Sequence, residues 1–155
     1  MSDRALRAVE AALALAGVGI AGYLTYTHYA HTTIACPIAG GGCETVQESS
    51  YAELAGIPVA LLGLLMYGAV LALVIWDDER ARAICAVLTV AGLAFALYLL
   101  AVQLWVIDAI CAWCVASDAV LTLLTLTALA RLRSSGLRSS EPGGAPSARS
   151  DPGSR

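Results

Sequence analysis

Polar and charged residues along this chain gather at a few places, and between them run four stretches that are apolar almost without interruption, at about 8–28, 58–76, 83–107 and 109–130. A helix needs roughly 20 apolar residues to cross a hydrocarbon core of about 30 Å, so each stretch has spanning length. The second and third carry no charge, and the fourth has one carboxylate, Asp118. Lipid offers no partner to an unpaired backbone group, which leaves helices as the spanning form for segments this long. The pattern therefore predicts an all-α integral membrane protein, a bundle of four transmembrane helices. Pro58 suits the first turn of the second helix, where its missing N–H has no partner to lose. The Gly17 and Ala21 pair permits close helix contact.

The one sizeable loop covers 29–57, "YAHTTIACPIAGGGCETVQESSYAELAGI". Within it Val46, Ser50 and Leu54 recur at helical spacing, predicting a loop helix that lies along the membrane surface. After Arg133 the composition shifts to Ser, Pro, Gly and Arg. That shift predicts a four-helix domain over 1–133 and a disordered tail over 134–155. An alternative reading takes 1–28 as a cleaved signal peptide and leaves the rest of the topology unchanged.

Composition agrees with a membrane setting: of 155 residues 59% are apolar and 14% charged, with a mean hydropathy of +0.75. The net charge of −3 and the absence of lysine argue against nucleic-acid binding. All nine cations are arginines. Arg4 and Arg7 precede the first helix, Arg80 and Arg82 separate the second and third, and Arg131, Arg133, Arg138, Arg149 and Arg155 follow the fourth. None lies in the long loop. The positive-inside rule then makes the arginine side cytoplasmic, with both termini on it and the long loop outside. Trp76, Trp105 and Trp113 fall at helix ends, as an interfacial belt would place them.

On that topology four of the five cysteines share the outer side: Cys36 and Cys43 in the loop, Cys111 and Cys114 in "CAWC" at the head of the fourth helix. Cysteines in an oxidising compartment rest in disulfides or cycle through them. Three-residue spacing on a helix brings Cys111 and Cys114 to one face, close enough to be bridged. A position near the helix N-terminus also stabilises a thiolate at Cys111. Alternatives stay open: Cys36 and Cys43 as a static loop staple, all four as zinc ligands, or the whole chain as a non-catalytic scaffold. Gly40, Gly41 and Gly42 would make the segment between Cys36 and Cys43 mobile, which suits thiol exchange better than a stiff metal knuckle. Cys85, alone among apolar residues, reads as a small hydrophobe. His28 and His31 sit near the outer surface without an evident role.

The run "CPIAGGGCETVQESSYAELAGIPVALLGLLMYG", followed later by "CAWCVAS", resembles the vitamin K epoxide reductase family, in particular its bacterial quinone-reducing members, across almost all of 8–131. The order carries the resemblance: a loop cysteine pair, a serine, Gly-Ile-Pro entering the second helix, then CxxC heading the last. The other four-helix class of disulfide-forming membrane protein has the reverse order.

The resemblance implies that a thioredoxin-like oxidase gives its electrons to a Cys36–Cys43 disulfide. Cys43 would then exchange with Cys111, and Cys114 would pass the electrons to a quinone such as menaquinone, ubiquinone or a vitamin K type. The polar tail after the fourth helix leads to the expectation that this partner acts in trans, and no metal is expected. Ser49 matches the family's loop serine, implied to organise the site by hydrogen bonding. Asp118 departs from the family, whose animal members place a quinone-binding tyrosine at that offset. Being four residues from Cys114, it shares a helix face with it, and burial would favour a neutral acid able to protonate a reduced quinone. Tyr67, Tyr98 and Gln103 are further candidates to line a quinone pocket.

Overall fold

The computed structural model describes residues 3–37 and 42–139, with side chains to residue 134. In chain order it contains α1 (Asp3–Ala30), α2 (Cys43–Gln47), a single 3-10 turn (Ser50–Ala52), a two-residue hairpin of β1 (Glu53–Leu54) and β2 (Ile57–Pro58), then α3 (Val59–Trp76), α4 (Glu79–Val102) and α5 (Ala112–Ser139). The two short strands pair antiparallel, Glu53 opposite Pro58 and Leu54 opposite Ile57. Each of the four long helices is long and apolar enough to cross a membrane, and the protein is a multi-pass helical membrane protein.

The long helices form a ring in which α1 packs on α3, α3 on α4, α4 on α5 and α5 back on α1. Its core is made largely of small and aliphatic residues, among them Ala14, Ala21, Val70, Leu121 and Leu124 around Tyr67. Small side chains let the helices approach closely, as packing in lipid requires. Gly17 is the tightest case, since a Cβ there would run into the Tyr67 ring. Across α4 and α5 the hydroxyl of Thr125 donates to the Thr89 carbonyl at 3.2 Å. Trp76 and Trp105 point outward, 78% and 83% exposed, as interfacial residues should.

Helix ends depart from the apolar runs because capping, not hydropathy, sets them. Asp77 adopts the left-handed conformation (φ 52°) that closes α3, and the next residue, Asp78, caps α4 by accepting from the Ala81 N–H. α4 therefore begins at Glu79, before the apolar run at 83. Beyond Val102 the chain makes a π turn over Gln103–Ile107 that Asp108 (φ 53°) ends, so α5 begins at Ala112 rather than at 109. At its other end α5 continues six residues past Arg133, so the expected tail boundary at 134 falls inside a helix; residues 140–155 lie outside the described part.

The loop differs most from expectation. A helix joining Val46, Ser50 and Leu54 does not form. Ser49 is extended, and its hydroxyl takes the Val46 carbonyl at 2.7 Å, ending α2 after barely more than one turn. Such side-chain to backbone bonds are the usual way serine competes with a helix. Trp113 is also not a free interfacial residue. Its indole N–H donates to the Ala35 carbonyl at 3.0 Å, and its ring packs on Tyr23.

Candidate functional site

Cys43 is the first residue of α2 and is bonded to Cys36. Gly42, just before it, lies so close to the turn after α4 that a Cβ would stand 2.6 Å from the Cβ of Ala109. The missing side chain thus lets α2 start against the segment that leads into the CxxC. Ala35, next to Cys36, is held from both sides: its N–H donates to the Tyr23 hydroxyl at 3.1 Å and its carbonyl accepts from Trp113. Gly40 and Gly41, expected to make this segment mobile, lie outside the described residues.

Cys111 stands immediately before α5, in the capping position. Its carbonyl accepts the first helical bond, from Val115, and its sulfur accepts from the Cys114 N–H at 3.3 Å. Here sulfur does what a serine or aspartate oxygen does in an ordinary cap. The Cys111 N–H in turn donates to the side-chain oxygen of buried Gln103 at 2.9 Å, so the π turn anchors the motif. The Cys114 thiol beside it, with the Cys114 and Trp113 N–H groups and the Gln47 amide, outweighs burial and lowers the Cys111 thiol to about 7.

The two pairs meet. Cys43 and Cys111, 1% and 0% exposed, are buried in one cluster with Val46, and Cys36, Trp113 and Cys114 pack against it. Cys36 is the more open of the loop pair. One turn after Cys43, Gln47 points its amide at Cys114, with 3.7 Å from Nε2 to Sγ. Cys85 lies away from this cluster, in the core of the opposite half, where its thiol donates to Glu10.

Two cavities flank the thiols. A polar cleft of about 550 Å³ is lined by His28, Glu44, Gln47, Glu48 and Glu53 among others; His28 sits 3.4 Å from the Glu53 carboxylate. An apolar cavity of about 400 Å³ reaches into the bundle between all four long helices. Gln47 and Ser49 line both and form the wall between them.

Of the residues expected from the sequence, Cys114, Ser49, Tyr67, Gln103 and Asp118 line the apolar cavity. Ser49 contributes by ending α2, and among the described residues its hydroxyl bonds a carbonyl and not a thiol. Tyr67 is buried and bonds the carbonyl and hydroxyl of Ser117, each at 3.0 Å. Tyr98 is not part of the site: it is 55% exposed on the outside of α4, stacked on Phe95. Among the described residues no set of three His, Cys, Asp or Glu side chains is gathered to hold a metal ion. Gln47, Tyr23 and Trp113 were not anticipated as site residues; the only hint for Gln47 was its four-residue spacing from Cys43.

The fold and these paired cysteines define a class, a four-helix membrane protein with a disulfide and a dithiol buried side by side. The family model for the vitamin K epoxide reductase family matches residues 8–129, and the chain belongs to that family. It is also similar to the thiol-disulfide oxidoreductase LTO1 of Arabidopsis thaliana, 45% identical over 51 residues, a match that covers 33% of this chain and 14% of that protein's length.

Proposed function

We propose that the protein is a membrane thiol oxidoreductase that takes two electrons from a thioredoxin-like dithiol protein and passes them to a quinone. A partner dithiol attacks the Cys36–Cys43 disulfide at the more open Cys36, leaving the partner oxidised and both loop cysteines reduced. Cys43 then attacks a Cys111–Cys114 disulfide at Cys111, and Cys36 resolves the mixed disulfide. The loop pair is oxidised again and the helix pair is a dithiol. Finally the dithiol closes to a disulfide while the quinone becomes hydroquinone, two electrons and two protons moving together. The loop disulfide beside a helix dithiol is the state just before this last step.

The observation that carries the reading is the shared burial of Cys43 and Cys111, with Cys114 on the far side opening onto an apolar cavity walled by four helices. Thiol exchange requires sulfurs that can touch, and an isoprenoid quinone needs an apolar site with few polar groups. The Cys114 thiol, with the N–H groups of the cap, lowers Cys111 into the range where a thiolate is both available and a good leaving group. Menaquinone, ubiquinone or a vitamin K type quinone fits this chemistry equally. Arg4, Arg7, Arg80, Arg82, Arg131 and Arg133 share the end opposite the thiols, which supports cytoplasmic termini and an extracytoplasmic site.

The test is purified protein in lipid with a reduced thioredoxin-like donor and a soluble quinone, followed by quinone absorbance. Cys114→Ala and Cys111→Ser are expected to reduce turnover to background. Cys114→Ala should also accumulate a Cys43–Cys111 mixed disulfide, visible by non-reducing peptide mapping. Turnover that survives Cys114→Ala would remove the relay through Cys114, and cysteine pairs that never crosslink in a protein without turnover would leave a scaffold.

A further inference from the structure

Asp118 lines the apolar cavity, and its Oδ2 is buried without a hydrogen-bond partner among the described residues. Buried polar atoms are nearly always paired, and an ionisable group inside a membrane segment is costly unless it has a task. Among the described residues none of the polar groups around it bonds that oxygen. The Tyr67 hydroxyl bonds Ser117, the Gln103 oxygen holds the Cys111 N–H, and the Gln47 amide faces Cys114. Thr122 bonds the Asp118 backbone carbonyl and leaves the side chain alone. What remains is a carboxyl one helical turn from Cys114, on the same face and in the wall of the same cavity. With no donor on the buried Oδ2, a proton on the acid is the state such a wall tolerates.

We propose that Asp118 is the proton donor to the quinone carbonyl oxygen nearest α5. This rests on the quinone-linked reading above. When the Cys111–Cys114 disulfide forms, two S–H bonds break and one S–S bond forms; the electron pair goes to the quinone, and two protons must reach its oxygens. Asp118 gives its proton to one oxygen and is reloaded by the proton that leaves Cys114. The second oxygen takes a proton from solvent, and Cys111 releases its own proton to solvent in exchange. The balance is dithiol plus quinone giving disulfide plus hydroquinone, with the acid unchanged. Asp118 therefore also fixes the orientation of the ring, because an acid that donates must first hydrogen-bond the oxygen it will protonate.

The experiment compares wild type, Asp118→Asn and Asp118→Glu in single turnovers of the fully reduced protein with a soluble quinone. In parallel, Cys43 to Cys111 exchange is measured without quinone, and the infrared band of protonated carboxyl groups is recorded with and without a redox-inert quinone analogue. General-acid assistance is worth on the order of 10²-fold or more, so Asp118→Asn should slow quinone reduction about a hundredfold while exchange keeps its rate. Asp118→Glu should recover most of the loss, and a carboxyl band missing from Asp118→Asn should shift when the analogue binds. Asp118→Asn at wild-type speed, or a wild-type band that the analogue leaves unmoved, overturns the assignment. If the asparagine variant fails to fold, the band is assigned by its change of frequency in Asp118→Glu, and its response to the analogue decides. Wild type that exchanges thiols but never reduces quinone would overturn the quinone-linked reading, and this proposal with it.

Discussion

At the arginine end of the bundle Arg131 of α5 is buried against Glu10 of α1 and Asp77 of the α3–α4 turn, while Arg82 and Arg7 close on Asp77 from α4 and α1. Arg7 also donates to the last carbonyls of α3, those of Val74 and Ile75. At the thiol end the contacts around the cysteines themselves are neutral: an indole on a carbonyl, a glutamine on an N–H, an amide on a sulfur. The backbone differs too. The two helices α3 and α4 join through two residues at the arginine end, whereas the thiol end has the π turn, the 29–57 loop and two cavities. Charge pairs taken out of water hold rigidly, because separating them leaves an uncompensated ion. Neutral bonds beside cavities can break and reform at small cost. One end ties the four helices together so that the other has room for sulfurs to change partners.

Breaking the tied end should give the largest effect. Arg131→Met leaves Glu10, itself 1% exposed, without its cation. Losing one partner of a buried pair costs about 3–5 kcal/mol, which should appear as a fall in thermal stability in lipid or detergent. Replacing both partners by apolar groups is often neutral, so adding Glu10→Leu should recover most of the stability. Cysteine exchange in the surviving folded fraction should run at the normal rate. Exchange lost in proportion to stability would show that the two ends are not independent.

A smaller effect is expected at the thiol end from Gln47→Leu. The variant keeps volume but loses the amide facing Cys114. A hydrogen bond of net worth about 1 kcal/mol corresponds to about a fivefold change in rate. Quinone reduction should slow by about that much while stability falls by no more than about 1 kcal/mol, far less than in the Arg131 variant. A variant that unfolds instead would mean that α2 is held by Gln47 and not by the disulfide and Val46.

The contrast between the ends was only partly legible in the sequence. The four spans, the arginine side and the order of the cysteines follow from hydropathy and spacing, which are local properties. Helix ends were less accessible, because they depend on Asp77, Asp78 and Asp108, three acids whose capping or left-handed roles hydropathy does not weigh. The loop helix failed for a similar reason, one serine hydroxyl competing for a carbonyl. The ion network was missed although Glu10 is the one acid in the first apolar run, and an acid there calls for a partner. No spacing rule could name that partner, since Arg131 is 121 residues away. The apolar cavity was likewise out of reach in detail: Tyr67 faces it and Tyr98 does not, a distinction set by the rotation of α3 and α4 in the ring.

A last contrast separates the two ends by pH. Burial alone would raise the Asp77 carboxyl, but the hydrogen bond from Arg82 and the charge of Arg131 prevail and hold it below the usual carboxylate range. A group whose folded value is depressed stabilises the fold above its unfolded value and loses that contribution as pH falls through the folded one. Acid should therefore weaken the arginine end. Cys111 is depressed as well, chiefly by the Cys114 thiol, to about 7, and the same sign applies in a different window. Between about pH 7 and the ordinary thiol range the unfolded chain holds a proton that the folded chain has released, so stability of the reduced protein should rise with pH there. In the form with Cys111 and Cys114 bonded, that rise should vanish while the loss in acid remains. Thermal unfolding of both redox forms across this range checks the pair of outcomes. An alkaline rise that persists in the oxidised form would assign it to a group other than Cys111.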